Sequence, residues 1–268
     1  MSELWAAVEV FSILLGSAAF GVFVQHFLSD AHKSRETREL SQAVTNMLVT
    51  LAALVLGLLT SSVVESFNRA GNDLNAYAVE LIGLGQSLHE FGSEGDPARS
   101  LLRTYVANAI ASTWPGEPKP PGAGNLGDLK PAGPPHPSLE SETLGAVLDR
   151  AGQEIRRLPA SDPLHTMLAA KAVQQFEQLA QDRWDLLEEA RTSIPVPFYR
   201  VLVFWLMIVF ASLGLIAPRN VLALALLTLA ALAIASVIFA IMEMDTPFSG
   251  LISVSSAPMR DALAHLSE

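Results

Sequence analysis

Four long apolar runs constrain this chain more than any other feature of its sequence. Runs 47–64, 201–218 and 221–242 contain no Lys, Arg, Asp or Glu, and run 4–28 contains only Glu9. Each is long enough for a helix to cross the hydrocarbon core of a bilayer, which needs about 17–25 apolar residues. Charged residues make up 16% of the chain, against about 25% in soluble domains. We therefore predict an all-α polytopic membrane protein with four transmembrane helices.

The sequence between the second and third runs predicts a helical extramembrane domain inserted between helices 2 and 3. We assign residues 1–66 to the first two transmembrane helices and 67–197 to the inserted domain. Residues 198–268 then hold the last two helices and a C-terminal segment at the membrane interface. Within the domain, residues 115–137 carry eight prolines and five glycines, so we expect a loop there.

Apolar residues from Phe67 to Phe91 recur at spacings of three and four, which is typical of a coiled-coil-like helix. No helix breaker separates this segment from the second run, so the second helix should continue into it. Further helices are expected from Asp96, over residues 144–158, and from a cap at Ser161 to about Thr192. A short last helix should begin at Ser256-Ala-Pro258.

The second helix carries a face of small and polar residues, since spacings of three and four place them on one side. They are Asn46, Thr50, Ala53, Gly57, Thr60 and Ser61. One interpretation is close helix packing, because small residues let backbones approach and hydroxyls bond across helices. The other is a face that lines a wetted pathway in an oligomer, with Glu65 and Asn68 at its mouth.

The segment MEMDTPFSG, residues 242–250, ends the fourth apolar run with two acids and a sharp turn. Glu243 lies where the helix macrodipole mildly disfavours an acid, so another interaction should hold it there. Pro247 and Gly250 suit a corner at the membrane surface. Glu243 and Asp245 are expected either to cap this corner and contact basic partners or to surround a pore entrance as cation-attracting groups.

The remaining features argue against several classes of protein. The chain contains no GxSxG, Walker, GxGxxG or HExxH motif, and its six histidines are scattered. It contains no cysteine, so disulfides, thiolate metal sites and cysteine nucleophiles are excluded. Its net charge of −10 disfavours nucleic acid as a partner. We expect no enzyme activity, no metal and no cofactor.

Several segments together resemble the bestrophin-like membrane proteins, a domain family of unknown function found widely in bacteria and plants. The resemblance covers most of residues 35–268 and is carried by SSVVESFNRAGNDLNAYAVELIGL, LLRTYVANAIASTWP, SIPVPFYRVLVFWLMIVFASLGLIAPRN and MEMDTPFSGLISVSSAPM. Its most specific elements are the Asp-x-Pro-Phe-x-Gly turn from Asp245 to Gly250 and the combination of Tyr105 with Trp114-Pro115.

The resemblance implies a homo-oligomeric ring in a lipid bilayer, with an axial pore lined by the second helix. By the same analogy, the candidate number of subunits is five. Bestrophins conduct mainly anions, but this chain has Leu58, Leu59 and Val63 where a proline-flanked aromatic neck would stand, and it is acidic overall. The gate and the ion selectivity of bestrophins therefore cannot be transferred to this chain. We expect an ion channel with the ion unassigned; the alternative is a non-conducting scaffold or regulatory protein whose helical domain binds a partner.

The expected location is the bacterial inner membrane, and two indications of orientation oppose each other. Four crossings place loops 29–44 and 217–220 on one side, with both termini and the helical domain on the other. Basic residues are denser near the loops, which favours the loops inside. Bestrophins instead keep their large domain in the cytosol, so the sequence does not fix the side.

Overall fold

The computed structural model describes residues 2–27, 35–124, 142–159, 162–189, 196–218 and 220–268, and within these ranges all regular secondary structure is helical. The helices are α1 (Ser2–Phe27), α2 (Arg35–Phe91), α3 (Asp96–Thr113), α4 (Glu142–Arg156), α5 (Pro163–Glu189), α6 (Val196–Ile216), α7 (Val221–Met244) and α8 (Ala257–His265). The predicted all-α class is confirmed for this part of the chain.

The chain forms two compact units, which we describe separately. Unit 1 comprises residues 1–67, 192–246 and 250–252. Unit 2 comprises residues 68–191, 247–249 and 253–268. The helices α1, α2, α6 and α7 each contain a segment long and apolar enough to cross a membrane.

Unit 1 is built on close packing of α1 against α6 and α7. Its core includes Leu14 of α1, Val63 of α2, Phe210 of α6 and Ile238 of α7. The approach of α1 and α6 depends on glycine, because a Cβ on Gly21 would overlap the backbone of Ala211. A Cβ on Gly214 would likewise overlap the backbone of Ala18. Small residues permit such backbone contact between apolar helices.

The long second helix follows the predicted pattern. It is one continuous α-helix to Phe91, and its apolar residues at spacings of three and four form part of the unit 2 core. The large side chains among them that are buried are those of Leu74, Tyr77, Leu81, Leu84, Leu88 and Phe91. Gly85 is tolerated within this face because Leu266 packs where a Cβ would lie.

The core of unit 2 contains side chains from α2, α3, α4, α5 and α8. Helix α3 begins at Asp96 with Pro97 in its first turn, as predicted. The start of α5 is capped by Asp162, whose Oδ1 accepts a hydrogen bond from the backbone N–H of His165 at 2.9 Å. The predicted cap Ser161 and the predicted helix end at 190–192 lie outside the described residues.

The C-terminal helix α8 belongs to unit 2, whereas the sequence-based division placed it with the last two membrane helices. Met259, Leu263 and Leu266 are buried in the unit 2 core, which is the physical reason for this difference. In the Pro/Gly-rich segment, residues 115–124 form turns and irregular backbone, and the predicted loop residues 125–137 lie outside the described part.

Candidate functional site

Within unit 1, the apolar part of α2 presents three faces. Each helical residue is rotated about 100° from the one before it, so neighbours in sequence point in different directions. One face packs into the core of unit 1 and consists of the buried residues Thr45, Ala52, Leu59 and Val63. The predicted small and polar face points away from this core, and large apolar side chains occupy the remaining sector.

The small and polar face is largely uncovered in the single chain. Its exposed members are Asn46, Thr50, Ala53, Gly57 and Ser61. Thr60, at the edge next to the core, is half-buried. The structure thus brings the predicted pore-lining residues onto one accessible surface.

The hydroxyl groups on this face are bonded within their own helix. Thr50 Oγ1 donates to the carbonyl oxygen of Asn46 at 2.9 Å, and Thr60 Oγ1 donates to that of Leu56 at 2.8 Å. Each hydroxyl oxygen keeps acceptor capacity, because a hydroxyl has one proton and two lone pairs. The face therefore offers uncharged oxygen acceptors along a part of α2 whose remaining residues are mostly apolar.

The predicted mouth residues differ in their surroundings. Glu65 and Asn68 are exposed on α2, in register with the small and polar face. Asp245, directly after α7, is half-buried. Glu243 is buried, with 2% of its surface exposed. The side chains of Glu65 and Asn68 are thus accessible on the surface, whereas that of Glu243 is not.

The carboxylate of Glu243 closes the turn that follows α7. Its Oε2 accepts backbone hydrogen bonds from Leu251 at 2.5 Å and Ile252 at 3.4 Å. Gly250 makes this return possible, because it adopts φ +92° and leaves space that a Cβ would take from the carboxylate. This is the geometry expected of a carboxylate that caps the corner after α7. It also supplies the interaction that holds an acid at a helix C-terminus.

A second set of contacts in unit 2 fixes the segment around Pro247 and Val254. Pro247 is buried, and its carbonyl oxygen accepts a hydrogen bond from Val254 at 2.7 Å. Trp114 Nε1 donates to the carbonyl oxygen of Val254 at 2.8 Å, and its ring packs edge-on against Phe248 at 5.9 Å. Trp114 is therefore a structural anchor for this segment.

A carboxylate clasp in unit 2 holds the start of α8. Glu117 accepts hydrogen bonds from Ser256 Oγ and from Arg260, whose Nη2 lies 2.8 Å from Glu117 Oε2. These contacts lower the pKa of the Glu117 carboxyl, with the Ser256 hydrogen bond as the largest cause and Arg260 contributing further. This clasp could not be predicted from sequence patterns, because Ser256 and Arg260 lie 139 and 143 residues after Glu117.

Another feature that the sequence pattern did not reveal is an apolar groove in unit 1 between α2 and α7. Its volume is about 190 Å³, and its lining residues include Thr60, Val63, Val64, Ser236, Val237 and Ala240. Ser236 Oγ donates to the carbonyl oxygen of Ala233 at 2.7 Å, so this hydroxyl is satisfied within α7. The groove therefore presents mainly carbon atoms.

No cluster of three or more His, Cys, Asp or Glu side chains suited to a metal ion occurs within the described ranges.

The comparisons with known proteins assign the fold and the family. The model of the Bestrophin-like domain matches residues 11–259. A crystal structure of a bacterial bestrophin homolog from Klebsiella pneumoniae matches with a TM-score of 0.68 and 15% identity, covering 97% of this chain and 96% of that chain. A single-residue variant of the Klebsiella pneumoniae homolog matches with a TM-score of 0.68 and 14% identity, covering 98% and 99%.

The comparison with curated proteins gives no significant match. The structural likeness shows a bestrophin-like fold, and the family match spans nearly the whole chain. Together with four helices of membrane-spanning length and composition, these findings show that the chain is an integral membrane protein that belongs to the bestrophin-like family.

Proposed function

We propose that this chain assembles with copies of itself into a ring that conducts ions along an axis lined by the small and polar face of α2. The observation that carries the proposal is the exposure of Asn46, Thr50 and Ser61 on a part of α2 whose remaining residues are mostly apolar. Polar groups at membrane depth are tolerated where protein or water covers them, not where lipid does. A ring of copies around a water-filled axis satisfies this requirement.

The proposed topology has four crossings, with the helical domain of residues 67–197 inserted between the second and third. The lengths and composition of the apolar helices support it. The separate core of unit 2 supports an extramembrane domain that is stable without lipid, because buried apolar side chains from several helices fill it.

The chemistry of the proposed axis is that of neutral oxygen ligands. Hydroxyl and amide oxygens can replace part of the hydration shell of an ion, and no residue of the face from Asn46 to Ser61 carries a charge. Glu65 and Asn68 are the proposed mouth, where an acid would raise the local concentration of cations. Asp245 is a further mouth candidate. The carboxylate of Glu243 already binds two backbone N–H groups and is assigned to the turn.

Two measurements test this function. The mass of the purified protein in detergent should be that of an oligomer, and liposomes containing it should show ion flux. In oligomers of unchanged mass, Thr60→Phe and Ser61→Phe should abolish most of the flux, because the bulky rings would narrow the axis. Thr228→Phe on α7 is the matched control, since its hydroxyl is bonded within its helix as that of Thr60 is, at 2.9 Å.

The proposal fails if a well-formed oligomer shows no flux. It also fails if Thr60→Phe and Ser61→Phe conduct as well as the Thr228→Phe control.

A non-conducting scaffold is the second candidate, and exposed apolar side chains of unit 2 favour it. They are Val79, Leu164, Met167 and Trp184, and Trp184 is 65% exposed. Exposed aromatic residues often anchor protein interfaces. This alternative predicts a dry, filled axis or no ring, and a partner that co-purifies through the helical domain and is lost after Trp184→Ser.

A further inference from the structure

The two sides of the small and polar face of α2 differ sharply in shape. On one side α2 carries a row of large exposed side chains, which we call the leucine flank. It consists of Val44, Met47, Leu51, Leu54 and Leu58. Among the leucines of this row Leu58 is the most exposed, with 64% of its surface accessible. The other side holds the apolar groove between α2 and α7.

Helical geometry places these two features on opposite sides of Gly57, near the middle of the polar face. Leu58 lies about 100° to one side of it, whereas Thr60 lies about 60° and Val63 about 120° to the other. The α2 residues that line the groove, Thr60 to Val64, lie about 3–9 Å beyond Leu58 along the helix axis. A protrusion and a groove therefore flank the same polar face within two turns of the helix.

The size and chemistry of the groove suit a leucine side chain. A cavity of about 150 Å³ holds a benzene molecule, and the groove measures about 190 Å³. The hydroxyls of Thr60 and Ser236 donate to carbonyl oxygens of their own helices, so no free donor needs a polar partner there. A branched aliphatic group fills such a space without leaving a polar group unsatisfied.

We propose that the groove receives Leu58 of a second copy of this chain, so that the leucine flank of each copy packs into the α2–α7 groove of the next. This contact joins two different surfaces, which is the head-to-tail type that closes into a ring by rotation. The inference rests on the proposed assembly around α2 and names the surfaces that form it.

The polar face decides between a second copy and a lipid chain as the occupant. It lies between the groove and the leucine flank, so lipid on both sides would also leave Asn46 and Ser61 facing hydrocarbon. Hydrocarbon is a costly environment for these polar side chains. Copies packed on both sides turn the polar face toward a shared axis. In a bilayer the hydrophobic effect does not drive helices together. Association of apolar helices therefore depends on close van der Waals contact between complementary shapes.

Cysteine cross-linking tests the contact cleanly, because the natural chain contains no cysteine. Leu58→Cys and Val237→Cys are combined in the full-length protein and oxidised in native membranes with copper phenanthroline. Val237 lines the groove and is 39% exposed. A disulfide needs Cβ atoms about 3.5–4.5 Å apart. The double variant should give a ladder of covalent oligomers, and each single variant should give none.

Co-expression of the two single variants distinguishes a head-to-tail contact from a contact between identical surfaces. Co-expressed Leu58→Cys and Val237→Cys single variants should form covalent dimers between the two different chains. Leu58→Cys combined with Leu226→Cys, an exposed α7 position 57% accessible and absent from the groove lining, should not cross-link. Leu58→Ala, which needs no thiol chemistry, should cause a loss of the oligomer at detergent concentrations that the Leu226→Ala variant withstands.

The inference is overturned by dimers formed by Leu58→Cys alone, by equal cross-linking at Leu226, or by an oligomer by mass with no Leu58–Val237 product. In the last case flux can persist, so the proposed function stands while this interface falls. A monomer by mass removes both, and a groove occupied by lipid is indicated if Leu58→Ala leaves the oligomer unchanged.

Discussion

Leu251 donates its backbone N–H to the buried carboxylate of Glu243 at 2.5 Å, which fixes the turn after α7 to the last turn of that helix. The intervening Gly250 adopts φ +92° and lies against the same carboxylate. Both features are required at once, since a side chain at residue 250 would be strained by its backbone conformation and would collide with Glu243.

Gly250→Ala should therefore destabilise the protein by about 2–5 kcal/mol. The left-handed backbone contributes about 1–2 kcal/mol for a residue with a Cβ, and overpacking against the carboxylate adds about 1–3 kcal/mol. Gly92→Ala is the matched control, because Gly92 has φ +88° with open space around it and should show the backbone cost alone. Unfolding in detergent, followed by circular dichroism, measures both changes.

A double variant separates the two causes. In a Glu243→Ala background no carboxylate remains to collide with, so the further cost of Gly250→Ala should fall to that of Gly92→Ala. An unchanged cost in that background would show that the contact with Glu243 does not matter.

The approach of α1 and α6 gives a second prediction, which compares two glycines of one helix. A Cβ on Gly21 would overlap the carbonyl oxygen of Ala211, whereas a Cβ on Gly16 would meet nothing within 4 Å. Gly21→Ala should lower the free energy of unfolding by about 1–3 kcal/mol through forced separation of the helices. Gly16→Ala should be neutral or stabilising by up to about 1 kcal/mol, because alanine favours the helix. Equal effects of the two substitutions in detergent unfolding would contradict this packing.

Local periodicity predicted most of the helices. The spacings of three and four up to Phe91 predicted a continuous α2, and Asp96-Pro97 predicted the start of α3; both are confirmed. The C-terminal helix was also predicted from Ser256-Ala-Pro258 and begins at Ala257. These features depend on neighbouring residues in the chain, so the sequence carries them directly.

Contacts between distant segments could not be predicted in the same way. The bond from Trp114 to Val254 joins residues 140 positions apart. The groove beside Thr60 arises from two helices, and its lining is mostly aliphatic, so no motif marks it. The small and polar face of α2 was visible in the sequence because one helix supplies it. Periodicity could not predict, however, that this face is exposed in the single chain.

A buried pair of tyrosines gives a third prediction. Tyr77 O–H donates to the hydroxyl oxygen of Tyr105 at 2.8 Å, and both side chains are fully buried. Burial raises the pKa of the Tyr105 phenol, so the pair stays neutral at physiological pH. Tyr105→Phe should cost about 1–3 kcal/mol, because it leaves the buried Tyr77 hydroxyl without this acceptor.

The double substitution Tyr77→Phe with Tyr105→Phe tests that cause. It should be less destabilising than the sum of the single substitutions, since removing both hydroxyls leaves neither member of the pair unsatisfied. Additive losses in chemical unfolding would show that the hydroxyl–hydroxyl bond does not couple the two positions.

The clasp of Glu117 with Ser256 and Arg260 predicts a pH dependence of stability. Because folding lowers the pKa of Glu117 below its ordinary 4.5, its contribution is fully present above about pH 4.5 and is lost as the pH falls through the folded value. Glu117→Gln should therefore lower the thermal midpoint at pH 7 and lose that effect in acid. The pair is about one-third exposed, so the change at pH 7 should be about 1 kcal/mol or less. Ser256→Ala should weaken this pH dependence, because it removes the largest cause of the shift. A difference between wild type and Glu117→Gln that stays constant from pH 7 to pH 3 would contradict the clasp.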